Sequence, residues 1–175
     1  MDCKNLMKRS LGTMKENEWR NDAEYMSYVG NLLVKPEVQK LSEYEQHHFC
    51  TRLDHVITVS YESYKIAKKM NLDARAVARA GLLHDLFYYD WRDTKFNLGT
   101  HAWIHPRVAV RNAEKITTLT AKEKDIIIKH MWGATLIPPK YPEGFIVTAV
   151  DKISAVDEYS HHLVDKVERM VRSAY

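Results

Sequence analysis

The sequence predicts an all-α protein built as a single domain. Three observations carry that expectation. Apolar residues recur at helical spacing along most of the chain, several of those stretches open on helix-start signals, and nowhere do apolar and polar residues alternate with period two for long. Six glycines and five prolines are low counts, which favours long helices over many tight turns. With 175 residues, no internal repeat and no low-complexity linker, residues 1–175 form one unit large enough for a core.

The elements follow in order. Residues 15–45 read as one or two helices broken near Pro36. "TRLDHVITVSYESYKIAKKM" (51–70) has apolar positions 56, 59, 66, 67 and 70 at helical spacing. "DARAVARAGLLHDLF" (73–87) opens on Asp73 as a cap and puts Val77, Ala80, Gly81 and His84 on one face. In "HPRVAVRNAEKI" the proline suits the first helical position, which makes His105 the expected N-cap. "TAKEKDIIIKH" begins with Thr120 and Glu123 at capping-box spacing, and Ile126, Ile127 and His130 share a face. "GATLIPPKYPEG" (133–144) holds three prolines and two glycines and reads as a loop. From about 144 onward one long helix or two are expected; "FIVTAV" is β-branched but has no partner strand.

Composition excludes several classes. A net charge of +3 is too slight to argue for nucleic acid or an anionic membrane. No apolar run approaches the roughly 20 residues that span a bilayer, and the first residues lack a secretion signal, so a cytoplasmic protein is expected. Cys3 and Cys50 form no metal-type pair, and Cys50 reads as a small buried side chain rather than half of a disulfide.

"AGLLHDLFYYDWR" (80–92) raises the functional question: an imidazole and a carboxylate close an apolar run, where burial is costly without a partner. With nine histidines and eleven aspartates, one His-Asp dipeptide is expected by chance about half the time, so alone it says little. The ordered set says more. His55, His84 with Asp85, His105, His130 and Asp151 lie on or beside the apolar faces of successive segments, at separations of 29, 20, 25 and 21 residues. Helices pack apolar face to apolar face, so four imidazoles and two carboxylates would meet in the core, where a cation turns a costly cluster into a binding site.

This H…HD…H…H…D order, with "TRLDHVITVSYESYKIAKKMNLD", "ARAGLLHDLFYYDW", "HAWIHPRVAVRNAEK", "EKDIIIKHMW" and "VTAVDKISAVDEY" around it, resembles the HD-domain superfamily of metal-dependent phosphohydrolases over about residues 45–160. It is most similar to small bacterial members, and more distantly to the YqeK-type dinucleoside tetraphosphate hydrolases. The resemblance implies an HD-type helical bundle in which His55, His84, Asp85 and Asp151 are the defining ligands. His105 and His130 match the extra histidines of members that hold a second metal. It also implies hydrolysis of a small phosphorylated metabolite, a nucleotide foremost, by hydroxide generated at the metals. One position departs from the pattern: where many members carry Lys or Glu four residues after the dipeptide histidine, this chain has Tyr88.

The donor types fit that implication. With no cysteine in the set, imidazole and carboxylate suit iron, manganese, zinc, cobalt or nickel. Six ligands around a central carboxylate point to two divalent ions bridged by Asp85, which is thereby the catalytic carboxylate. Arg52 lies one helical turn before His55, Lys152 follows Asp151, Arg92 closes "YYDWR" and His101 precedes a ligand; these four are the candidate substrate contacts, each with a surface ion pair as its ordinary alternative. Trp91, Tyr88, Tyr89 and Trp132 could stack a base, and at least two of them are expected in the core. His47, His48, His161 and His162 read as surface or hydrogen-bonded residues. Residues 161–175 offer Leu163, Val164, Val167, Met170 and Val171 either to a second subunit, giving a homodimer, or to the chain's own core. Two rival functions stay open on sequence: a mixed-valent di-iron oxygenase with the same ligands, and a nucleotide-binding module without catalysis.

Overall fold

A computed structural model of the chain describes residues 18–46, 50–96 and 99–156. Cys3, both outer histidine pairs and the 161–175 stripe lie outside these residues. The described elements are α1 (Glu18–Asn21), α2 (Ala23–Leu33), α3 (Pro36–Gln39) running into a 3-10 turn (Lys40–Glu43), α4 (Arg52–Lys69), α5 (Ala74–Leu83), α6 (His101–Ile116), α7 (Ala121–Lys129) and α8 (142–156). Among the described residues there is no β-strand, only the isolated bridges Glu45–Thr51 and Trp132–Thr135, so the all-α class holds. None of these helices is long and apolar enough to cross a membrane.

The caps set the boundaries. Asp22, Thr51 and Asp73 accept the backbone N–H of Tyr25, Asp54 and Ala76 and so start α2, α4 and α5. Thr120 and Glu123 form both halves of a capping box at α7. Pro36 does not merely break a helix; it is the first residue of α3.

Three boundaries differ from the sequence reading. α5 stops at Leu83, so His84 is its C-cap and Asp85 lies in the following turn. α6 begins at His101 with Thr100 as N-cap, which places His105 and Pro106 inside the helix. The proline rule located a start one turn late: it assumes that a proline avoids the helix interior, where it removes a hydrogen bond and crowds the carbonyl four residues back, and α6 carries Pro106 inside at that cost. "FIVTAV" is helical, and α8 begins two residues before the expected 144. Cys50 is buried, as expected.

α4 and α5 make the central pair, with α7 and α2 against α5 and α6 against α7. Gly81 allows their close crossing: a Cβ there would stand 2.8 Å from Ser60 Cα. The Ser60 hydroxyl donates to the Ala78 carbonyl at 2.6 Å and accepts from Tyr25 at 2.8 Å, so this buried hydroxyl is satisfied as donor and as acceptor. Val56, Val59, Val77, Leu82, Ile126, Ile127 and Val147 fill the space between these helices with no exposure. One buried ion pair ties α5 to α7: Arg79 Nε donates to Glu123 Oε1 at 2.6 Å, and Arg79 Nη2 donates to the Thr117 hydroxyl at 2.9 Å. The helix carrying the His-Asp dipeptide is thereby fixed against the one ending at His130.

Candidate metal centre

Each ligand candidate sits where its helix ends or faces the core. His55 is in the first turn of α4, His84 and His130 cap the C-termini of α5 and α7, His105 lies in α6 and Asp151 in α8. Asp85 follows His84 out of the helix, and the Asp85 carbonyl accepts the Phe87 N–H at 2.8 Å to close the turn. The side chains of His55, His84, Asp85, His105 and His130 are at most 7% exposed, and that of Asp151, at 13%, reaches furthest toward solvent.

The six residues converge. Ligand-capable atoms of His55, His84 and Asp85 lie within 4.8 Å of one another, as do those of His84, His130 and Asp151 and those of Asp85, His105 and His130. Asp85 thus belongs to one trio with His55 and to another with His105 and His130. Its Oδ1 stands 3.2 Å from His105 Nε2 and 3.7 Å from His130 Nε2, while Oδ2 faces His84 Nε2 at 3.8 Å. Asp151 Oδ1 lies 3.1 Å from His55 Nε2 and 3.4 Å from His84 Nε2.

The protons on the rings can be placed from their partners. His84 Nδ1 is 2.7 Å from the Gly81 carbonyl, His105 Nδ1 is 2.9 Å from that of His101, and His130 Nδ1 is 2.8 Å from that of Ile127. A carbonyl can only accept, so each Nδ1 carries a hydrogen and the neutral ring points an Nε2 lone pair inward. Metal-ligating histidines are held in this way. His105 Nε2 and His130 Nε2 are 2.8 Å apart, a separation at which two lone pairs repel unless a positive charge lies between or beside them. His84 Nε2 and Asp85 Oδ1 are buried without a hydrogen-bond partner. Orphaned atoms inside a set of borderline donors are what a divalent transition metal satisfies, so the residues present fit such an ion.

Electrostatics agree. Burial works against charge on Asp85, but His84, His105 and His130 outweigh it and hold the carboxyl well below its usual range. At Asp151 burial is likewise outweighed, by His55 and His84. Burial also opposes charge on His84, yet Asp85 and Asp151 raise its pKa: the two carboxylates call for a cation, which a proton or a metal ion supplies. Burial, together with His105 and His84, pushes His130 down to about 3, so that ring stays a neutral donor.

The four candidate substrate contacts are placed differently from one another. Arg52 is 1% exposed and faces inward: Nε donates to Gln46 Oε1 at 2.9 Å, Nη1 to the Phe87 carbonyl at 2.7 Å and Nη2 to that of Tyr89 at 3.3 Å, with the guanidinium 3.7 Å over the Phe87 ring. Arg92 is partly exposed, donates to the Gln46 carbonyl at 2.7 Å and lies near Asp90. Lys152 donates to the Trp132 carbonyl beside Gly133, whose φ of +97° no side chain favours and where a Cβ would stand 2.8 Å from the ammonium. His101 stacks between Trp91 and His105, with centroids at 5.5 and 4.3 Å; burial and His105 push its pKa down to about 4.

Tyr88, at the departing position, turns away from the ligands and donates to the Glu37 carbonyl at 3.0 Å. Of the four aromatic side chains, Tyr88 packs against the core cluster, Tyr89 and Trp91 are half-buried and Trp132 is exposed, so none is fully buried where at least two were expected in the core. Sequence reasoning missed Gln46, whose Nε2 donates to Asp85 Oδ2 at 3.0 Å across 39 residues. No local spacing marks such a contact.

An all-α bundle with an inward-facing His and Asp set that could hold a metal ion is the class of protein that the fold and the site define. A family model described as the HD domain matches residues 52–156, and the chain belongs to the HD-domain family, whose members are generally metal-dependent hydrolases of phosphate esters. No curated protein matches the chain.

Proposed function

We propose that this protein hydrolyses a phosphate ester or anhydride bond in a small phosphorylated metabolite, a nucleotide foremost, with two divalent transition-metal ions held by His55, His84, Asp85, His105, His130 and Asp151. One observation carries the reading: three rings have Nδ1 committed to backbone carbonyls and Nε2 aimed at a shared space beside Asp85. Bound there, divalent ions supply water activation near neutral pH and neutralisation of charge on a phosphoryl oxygen.

The chain's own residues do the rest. Asp85 would be the ligand shared by the two ions: of the residues common to two trios it alone offers two donor atoms, Oδ1 toward His105 and His130 and Oδ2 toward His84. Asp151, with the most exposed side chain of the six, marks the open side of the centre, and Lys152 follows it on α8. Arg92 and Lys152 are the cations that retain exposure, and we assign them the phosphate; Arg52 acts from within by holding the loop at 87–89. Trp91 stacks over His101 at the rim, where a planar base would meet it.

The test is turnover of a panel of nucleotides and other phosphorylated metabolites, first with manganese and then with iron, in air and under anaerobic conditions. Release of phosphate or of a nucleoside monophosphate that persists without oxygen is the expected result. Turnover that requires iron and dioxygen would replace the hydrolase by an oxygenase on the same ligands. Nucleotide binding without turnover under any condition would make the protein a binding module.

A further inference from the structure

We propose that Gln46 is a positioning residue for the Asp85 carboxylate and that Arg52 sets Gln46; the inference rests on the metal-centre reading above. Gln46 lies in the segment before α4 and is 7% exposed. Its side chain spans two groups of opposite demand. Arg52 Nε, which can only donate, is 2.9 Å from Oε1, and Asp85 Oδ2, which as a carboxylate can only accept, is 3.0 Å from Nε2. The amide therefore has one orientation: reversed, it would set donor against donor and acceptor against acceptor.

The backbone of Gln46 is fixed as firmly. The Gln46 N–H donates to the Cys50 carbonyl at 2.9 Å, and the Gln46 carbonyl accepts from Arg92 Nη2 at 2.7 Å. Arg52 in turn is tied to the carbonyls of Phe87 and Tyr89, just beyond Asp85 in the chain. The path Arg52–Gln46–Asp85 closes on the very turn that presents the carboxylate.

A consequence follows for the ligand. The terminal torsion of an aspartate is broad and soft, and Asp85 lies beyond the end of α5, outside its helical hydrogen bonding. With Oδ2 held by the Gln46 amide, Oδ1 is turned to His105 and His130. Gln46 thus presets which oxygen serves which side of the centre. Arg52 reaches the centre through it, rather than by touching substrate.

The experiment compares the full chain with Gln46→Met and Gln46→Asn. Cobalt(II) affinity is measured by competition with a chromophoric chelator, the visible cobalt spectrum is recorded, and metal-free melting is followed in parallel. Both variants should bind cobalt about 10- to 100-fold more weakly, the usual cost of losing a partner of a metal ligand. The cobalt bands should shift, and metal-free melting should fall somewhat in both variants, because the buried Arg52 Nε loses its acceptor. Asn keeps a small amide but is one methylene too short to bridge Arg52 and Asp85, so it carries the test if Met fails to fold. Parent-like cobalt affinity and spectrum in a folded variant would overturn the inference and leave the metal centre standing. Failure of the parent itself to bind cobalt would overturn the metal-centre reading and this inference together.

Discussion

Asp85→Ala is expected to empty the metal centre. The carboxylate is the one group shared by the trio with His55 and His84 and the trio with His105 and His130, so its loss removes a ligand from both positions at once. Four imidazoles and the single Asp151 carboxylate leave much of the charge of two divalent ions uncompensated in a buried site. Metal affinity should fall by more than the 10- to 100-fold typical of lost outer partners, and turnover with it. Elemental analysis should find little metal in the variant. Thermal melting offers a second reading: a chelator should lower the melting temperature of the parent, because an ion at about 100 times its dissociation constant adds roughly 2.7 kcal/mol to the folded state. The same chelator should leave the variant unmoved. An Asp85→Ala protein that keeps the parent's metal content would remove Asp85 from the bridging role.

The second large effect concerns stability. Arg79→Ala should destabilise the fold by about 3–5 kcal/mol in denaturant unfolding, because it strands the fully buried Glu123 carboxylate without its cation. The variant also loses the bonds to Thr117 and Thr118 that pin the start of α7 to α5. Arg79→Met combined with Glu123→Leu should recover most of that loss, since an apolar pair of similar volume needs no charge partner. About 1 kcal/mol should stay lost, because Glu123 Oε2 also accepts the Thr120 N–H at 2.7 Å in the capping box. A double variant as unstable as the single one would mean that shape, not the unpaired charge, sets the cost.

The fold and the convergence of the six candidate ligands were largely legible in the sequence, for physical reasons. Asp73 and the Thr120–Glu123 box announce helices through side chains suited to capping a helix start. His55, His84, His105, His130 and Asp151 could be read because helical periodicity fixes which residues face the core, and the core is where their helices meet. What was not legible depends on contacts between distant segments. The spacing that puts Arg52 beside His55 cannot tell that carbonyls from 87–89 take up the guanidinium. Gln46 gives no signal at all, since its meaning comes from partners on two other segments. His105 was placed as a cap because the Pro106 rule is local, whereas the turn that starts α6 at His101 is built from the residues before it.

The account stands or falls on metal analysis of gently purified protein beside the His105→Ala, His130→Ala double variant. The parent should carry about two transition-metal ions per chain, the stoichiometry of a bridged pair. The double variant, which keeps His55, His84, Asp85 and Asp151, should carry about one. A parent without metal after reconstitution with manganese, iron, zinc or cobalt, or a double variant with the parent's full content, would contradict the account.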